Sequence, residues 1–189
     1  MLIISQNATD YDLNFPKDAI LRINLAWCNS LDELEIILKK NSDYGIFIDL
    51  PIGRLKPPNN RYTLNEIIPI LKNYNNIKYF AVSNVDDDVD LDDFVNSVPK
   101  NITIVPKIES YLGIKNIEEI TKLLGDEKIV MLDHDDLYSS MLKKNDDPKN
   151  FQIYIQQLID FCNKNNVTLL RTVGVMFADT EKRVSEYVK

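Results

Sequence analysis

Short apolar segments alternate with amphipathic segments along the chain, and this order predicts an α/β fold with a parallel sheet. Seven segments have the length of strands, and polar loops or helical patterns separate them. Most are apolar throughout, as is typical of parallel strands that are buried on both faces. The predicted strands span residues 2–5, 19–25, 44–50, 78–83, 102–106, 128–132 and 167–171.

Capping signals and helical periodicity place helices between these strands. Ser30 is followed three residues later by Glu33, and Thr63 by Glu66, and each pair has the form of a capping box at the start of a helix. The other helical patterns cover residues 91–98, 114–124, 151–163 and 179–188. Segments that we predict to be loops cover residues 6–17, 51–62 and the acidic stretch 133–136.

The length and composition indicate one globular domain. With 189 residues the chain can bury a sizeable core, and we predict a single domain over residues 1–189. No apolar run approaches the roughly 20 residues that span a bilayer. The N-terminus has no signal-peptide pattern, so we expect a cytoplasmic protein without membrane contact. A net charge of −7, with no stripe of Lys and Arg, argues against nucleic-acid binding.

The cysteine and histidine content limits the metal chemistry. Cys28 and Cys162 lie far apart in sequence without metal-like spacing, so we expect buried free thiols. His134 is the single histidine, which excludes a zinc site with several histidines. A metal held by this chain would therefore have oxygen ligands, which favours magnesium or manganese.

Polar residues recur where the predicted strands end. Right-handed crossovers allow either an open doubly wound sheet or a barrel. The recurrence favours the barrel, because only there do all the carboxyl ends converge on one rim. We therefore predict a reduced TIM-type (β/α) barrel of about seven parallel strands, incompletely closed, with a site at that rim. The polar residues at the strand ends are Asn24, Asp49, Ser83, Lys107, Glu109, Asp136 and Thr172.

Lys107, Glu109 and Asp136 are the candidate site residues with the clearest chemistry. Lys107 and Glu109 are two residues apart at the end of a strand, so both side chains point to one side. Glu109 and Asp136 follow neighbouring strands, and two carboxylates beside waters suit octahedral Mg²⁺. Other interpretations stay open: Glu109 as an exposed carboxylate, Asp136 as part of a solvated loop, and Lys107 as the partner of Glu109 in a simple ion pair.

Arg22 and Asn24 share a face of the second strand and could bind a carboxylate or phosphate. Arg22 lies in an apolar strand, where a charge is costly unless it is paired. A structural ion pair with Asp49 would satisfy it equally well. His134 is either a general base or a member of the hydrogen-bonded acidic loop.

Six segments resemble pyruvate kinase in the same order. PKIESYLGIKNIEEI and KIVMLDHDDL, at 106–120 and 128–137, resemble the family's KIE…G…N..EI and MVARGDLG segments. RINLAW at 22–27 resembles RLNFSHG, and IDLPIGRLK at 48–56 resembles D-x-x-GPKIR. FAVSNV at 80–85 resembles ASFV, and LLRTV at 169–173 resembles the strand that carries ATQM.

The resemblance implies roles for the residues that match. Lys107 would be the catalytic lysine that steadies the enolate, and Thr172 would stand near the enolate face. Glu109 and Asp136 would ligate the divalent metal. The residues that would line the phosphate and substrate region are Arg22, Asn24, Asp49 and Ser83.

The chain also departs from the family. Ala26 and Trp27 replace the serine and histidine of its monovalent-cation site, and His134–Asp135 replaces the RG before the metal aspartate. Only residues 57–62 stand where the family inserts its lid domain, and the resemblance extends to the barrel domain alone. Without a lid, phosphoryl transfer would be poorly protected from water.

Lidless members of the wider phosphoenolpyruvate/pyruvate superfamily are similar in holding Mg²⁺ through a Glu and an Asp. The leading hypothesis is a Mg- or Mn-dependent enzyme, such as a 2-keto acid lyase or aldolase. It would act on pyruvate, phosphoenolpyruvate or a related 2-keto acid through an enolate. The alternative is a catalytically degenerate barrel that binds a ligand or partner. A homodimer could cover the exposed strand edges of an open barrel.

Overall fold

Seven parallel strands form one curled, open sheet in the computed structural model, which describes residues 3–5, 15–53 and 57–171. Each strand pairs with the next one along the chain, and neither outer strand pairs further within the described residues. The predicted reduced and incompletely closed barrel is confirmed. The strands are β1 (Ile3–Ser5), β2 (Ile20–Asn24), β3 (Gly45–Leu50), β4 (Ile77–Val82), β5 (Thr103–Ile108), β6 (Ile129–Leu132) and β7 (Thr168–Arg171).

Helices connect most of the described strands. The α-helices are α1 (Leu31–Lys40), α2 (Leu64–Asn73), α3 (Val89–Ser97), α4 (Tyr111–Lys115), α5 (Ile117–Lys122), α6 (His134–Lys143) and α7 (Asn150–Lys164). A 3₁₀ helix, Leu25–Trp27, follows β2. Thr63 and Glu66 form the predicted capping box of α2. At α1 the Ser30 side chain accepts from the Glu33 N–H, but the Glu33 carboxylate turns to Asn29 instead of completing the box.

The helices pack against one face of the sheet only. A large core cluster joins one set of strand side chains, such as Ile48 and Val82, to helix residues such as Leu34 and Ile67. The opposite set of strand side chains forms a second cluster that contains no buried helix residue. We call this side of the sheet the inner face and this cluster the inner cluster. Its buried members are Phe47, Ala81, Val105, Ile129 and Met131. Helices on one face and sequential strand order distinguish this sheet from a doubly wound one, which has helices on both faces.

The acidic stretch 133–136 is not a loop, contrary to the sequence prediction. Asp133 is the N-cap of α6, which begins at His134, and its side chain accepts a hydrogen bond from the Asp136 N–H. Leu137 and Met141, one helical turn apart, bury this helix against the core. The predicted helix 114–124 is also divided, because α4 and α5 meet at Asn116.

Several predictions fall on residues outside the described chain. These include part of the loop 6–17, the helix 179–188 and the candidate site residue Thr172.

Among the described residues, no helix has both the length and the apolar character needed to cross a membrane. The two cysteines are free and buried, as predicted, and burial raises the pKa of each thiol to about 11; at Cys28 the charge of Glu33 adds to the effect.

Gly113 lies where α4 approaches the loop after β4. A Cβ at position 113 would be 2.6 Å from the Val85 carbonyl oxygen. We expect Gly113→Ala to lower the free energy of unfolding by about 1–3 kcal/mol, because the backbone must shift to admit the methyl group. Gly125→Ala is the control, since no described atom beyond its chain neighbours lies within 4 Å of the added Cβ. Urea denaturation measures both variants, and equal stabilities would contradict this packing.

Candidate metal and substrate site

Polar side chains line the inner rim of the sheet, where its strands end. Asn24 is in register with Asp49, and Lys107 is in register with Met131 of the inner apolar cluster. Because side chains alternate between the faces of a strand, Glu109 continues the inner face at the end of β5. A cleft of about 440 Å³ opens at this rim. Its lining includes Asn24, Ser83, Asn84, Lys107, Glu109 and Asp136.

A row of alternating charges crosses the inner face beside this cleft. The Arg22 guanidinium donates two hydrogen bonds to Asp49 Oδ2, one of them from Nε at 3.1 Å. Lys107 Nζ lies 3.8 Å from the same Asp49 oxygen and 2.6 Å from Glu109 Oε1. Lys107 also donates a hydrogen bond of 3.2 Å to Ser83 Oγ. Asp49, Lys107 and Glu109 are at most 5% exposed, so each of these charges depends on its neighbours rather than on water.

Each carboxylate oxygen of Glu109 contacts a different group of the protein. Oε1 contacts Lys107, and Oε2 accepts a hydrogen bond of 2.8 Å from the backbone N–H of Asn84. Asn84 has a φ of 56°, a left-handed conformation that Asn tolerates better than most residues. Its side chain donates to the Ile52 carbonyl in the loop after β3. Asn84 therefore orients Glu109 and joins two loops of the rim.

Three carboxylates meet at the end of the row. One oxygen from each of Glu109, Asp133 and Asp136 lies within 4.8 Å of the others. Glu109 is buried and the two aspartates are half-buried, so the group is not an ordinary solvated acidic surface. Carboxylate oxygens at this spacing suit a hard divalent cation. This acidic triad could hold a metal ion.

The ionisation of Lys107 follows from its surroundings. Burial alone would lower the pKa of Lys107, but the carboxylates of Asp49 and Glu109 outweigh it and hold that pKa above its usual value. Burial raises the pKa of Glu109, and the Lys107 ammonium and the Asn84 amide offset part of this rise. Lys107 is therefore a fixed positive charge at neutral pH.

The structure brings most of the predicted site residues to the cleft. Ser83 and Asn24 line it with Lys107 and the carboxylates, and Asn24 also accepts a hydrogen bond of 2.9 Å from the Ala26 N–H. Arg22 is paired with Asp49, which is the structural alternative that the sequence left open. His134 accepts hydrogen bonds from the Arg171 guanidinium at the start of α6.

Sequence reasoning missed Asp133 and Asn84. Asp133 continues the alternation of Ile129 and Met131, so strand periodicity placed it on the inner face. It was overlooked because the stretch that it begins was predicted to be a loop. Asn84 acts on Glu109 through its backbone N–H, and residue type gives no signal for such a contact.

Comparisons with known proteins support the fold. No protein-family model matches the chain, and no curated protein matches it in sequence. The crystal structure of RipC from Yersinia pestis is similar, with a TM-score of 0.61 and 12% sequence identity. The match covers 94% of this chain and 77% of that chain. At this identity the likeness shows the fold alone.

Removing the Lys107 ammonium tests the buried row of charges. We expect Lys107→Met to lower the free energy of unfolding at pH 8 by about 3–5 kcal/mol, because two buried carboxylates lose their shared cation. Without the ammonium, burial raises the pKa of Glu109 further above its unfolded value. The stability difference should therefore shrink as the pH falls, because this carboxyl takes up a proton in the folded variant at a higher pH than in the unfolded chain.

Urea denaturation of Lys107→Met and the wild-type protein between pH 5 and 8 measures this difference. Lys100→Met is a control that removes an exposed lysine outside the row, whose ammonium donates a hydrogen bond to the Val95 carbonyl. If Lys107→Met lowers the free energy of unfolding by the same amount at pH 5 and pH 8, the proposed electrostatic coupling between Lys107 and Glu109 is contradicted.

Proposed function

We propose that this protein is a Mg- or Mn-dependent enzyme that acts on pyruvate, phosphoenolpyruvate or a related 2-keto acid through an enolate. The observation that carries the proposal is the acidic triad beside a buried, charged lysine in a cleft at the strand ends. The resemblance of the same segments to pyruvate kinase supports it, as does the position of the site on the rim where barrel enzymes carry their chemistry.

The charge balance of the site fits a divalent cation. Arg22 and Lys107 contribute two positive charges, against four carboxylates from Asp49 and the triad. The group therefore has a net charge of −2 when all six residues are ionised, and a divalent ion would neutralise it. Both Glu109 oxygens already have one contact, but each carboxylate oxygen can accept a second.

The residues of the chain have separable roles in the proposed reaction. Glu109, Asp133 and Asp136 would hold the ion, which when bound supplies Lewis-acid polarisation of a keto acid. The Lys107 ammonium would offset negative charge that develops on the keto oxygen. Asn84 fixes the Glu109 carboxylate, and Asp49 and Ser83 hold the Lys107 side chain in place.

The ionisation of Lys107 favours this mechanism over Schiff-base chemistry. A lysine that attacks a keto group must lose its proton, and proteins achieve this by lowering its pKa. Lys107 lies between two carboxylates that raise its pKa. Lys107 is thus suited to stabilise negative charge and unsuited to act as a nucleophile at neutral pH.

Metal binding can be tested with Mn²⁺, whose electron paramagnetic resonance signal reports the free ion. We expect Asp136→Asn and Asp133→Asn each to weaken Mn²⁺ binding by at least about tenfold, since each removes a ligand charge. Asp135→Asn is the matched control, because it alters the same helical turn outside the triad. Equal affinities for Asp135→Asn and Asp136→Asn would exclude the triad as the metal site.

The chemistry can be tested without knowledge of the second substrate. Enolisation of pyruvate in D₂O exchanges the methyl protons for deuterium, so proton NMR should show a metal-dependent loss of the methyl signal. We expect Glu109→Gln to abolish the exchange and Asp135→Asn to retain it. If Mn²⁺ binds at the triad but no exchange exceeds background, the enolate proposal fails and a ligand-binding role takes its place.

A further inference from the structure

One face of α6 carries a polar stripe along the outer part of the cleft. Asp136 of the acidic triad is followed at helical spacing by Ser139 and Ser140, and then by Lys143 and Lys144. All five residues line the cleft. The stripe runs from the half-buried Asp136 to the exposed Lys143 and Lys144, which mark the outer part of the cleft, and its charge changes from negative through neutral to positive.

The charges of the two lysines in this stripe have no partner in the part of the chain that the structure describes. Neither the Lys143 nor the Lys144 ammonium forms an ion pair or hydrogen bond with any described residue. The hydroxyls of Ser139 and Ser140 likewise donate no hydrogen bond within the described chain. By contrast, Lys39 at the end of α1 is paired with Glu35. Carboxylates outnumber the Lys and Arg cations in the whole chain, 29 to 22, so carboxylate partners for lysine are not scarce.

A lysine at the end of a helix also interacts favourably with the helix dipole, and this accounts for the residue type. The dipole does not account for two ammonium groups and two hydroxyls that line one cleft and have no side-chain partner among the described residues. Lysine and serine donors are common ligands of carboxylates and phosphates. The outer cleft therefore has the chemistry of an anion site.

The spacing sets the size of the ligand. Lys143 is seven positions after Asp136, which is about 10 Å along a helix. Lysine side chains on a helix lean toward its N-terminus, which shortens the distance from the ammonium to the triad. An anionic group a few bonds beyond a keto acid at the triad would reach the lysines.

We propose that the substrate carries a second anionic group, a carboxylate or phosphate, and that Lys143, Lys144, Ser139 and Ser140 bind it in the outer cleft. This inference rests on the proposed function, because it places the keto acid of the same substrate at the triad. It narrows the substrate class from simple 2-keto acids to those with an oxyanion at the far end.

A matched pair of ligands tests the outer site. 2-Oxoglutarate ends in a carboxylate, whereas 2-oxopentanoate has the same chain length and ends in a methyl group. We expect calorimetry with Mg²⁺ to show that 2-oxoglutarate binds roughly tenfold more tightly, which corresponds to about 1.4 kcal/mol. The double variant K143Q/K144Q should lose this preference and still bind 2-oxopentanoate.

Lys39 and Lys40 provide the control, because they also end a helix as consecutive lysines but lie outside the cleft. K39Q/K40Q makes the same change in net charge and should retain the preference. Inorganic phosphate is the second probe: stronger competition by phosphate than by acetate against 2-oxoglutarate would identify a phosphate site, and the reverse a carboxylate site.

The outcomes separate this inference from the proposed function. Equal affinities for both oxo acids, unchanged in K143Q/K144Q, would overturn the outer site and leave the keto acid site intact. Binding of phosphate or acetate that depends on Lys143 and Lys144, without metal-dependent binding of either oxo acid, would support the outer anion site and overturn the proposed function. A loss of preference in K39Q/K40Q as well would reduce the effect to net charge and refute the site.

Discussion

The buried ammonium of Lys107 is the constraint on which the rest of the inner face depends. A charge at this depth is tolerated only with close partners, and Lys107 finds them in Asp49 on β3, Glu109 at the end of β5 and Ser83 after β4. Arg22 on β2 completes the row by neutralising Asp49. Four neighbouring strands are thus tied together at their carboxyl ends, so that electrostatics and strand register specify the same arrangement. A shift of one residue in β2, β3 or β5 would move a charge into the apolar core.

The one-sided packing of the helices leaves the rim free for such a site. Below it, the inner cluster around Phe47 and Met131 fills the sheet with its own side chains. Above it, loops can bring the backbone to the carboxylates, as Asn84 does for Glu109. Strand β5 has a special place here: its register with β4 ends at Pro106, and its register with β6 begins at Lys107. Lys107 and Ile108 pair with β6, and the Lys107 carbonyl also accepts a hydrogen bond from the Val85 N–H in the loop after β4, so the site residues of β5 are held from both sides.

Much of this site could be predicted from the sequence because its chemistry lies at strand ends. Lys107, Glu109 and Asp136 stood out as charges directly after apolar runs, and the structure places them around one cleft. Asp133 was missed because a four-residue acidic stretch has no helical periodicity of its own; the helix is defined by Leu137 and Met141 packing beyond it. The orientation of Glu109 by a backbone amide was beyond sequence reasoning, since it depends on the conformation of one loop residue.

The sign of the charge at the triad bears on how the cleft would work. A site that only bound a keto acid would gain from net positive charge, whereas this group has a net charge of −2 and repels a carboxylate at short range. Neutralisation by a divalent ion removes the repulsion, so keto acid affinity in the proposed reaction should depend on metal. Lys143 and Lys144, which line the outer part of the cleft, are positive without metal. The two ends of the cleft would therefore respond differently to metal removal, with only the inner end losing its ligand.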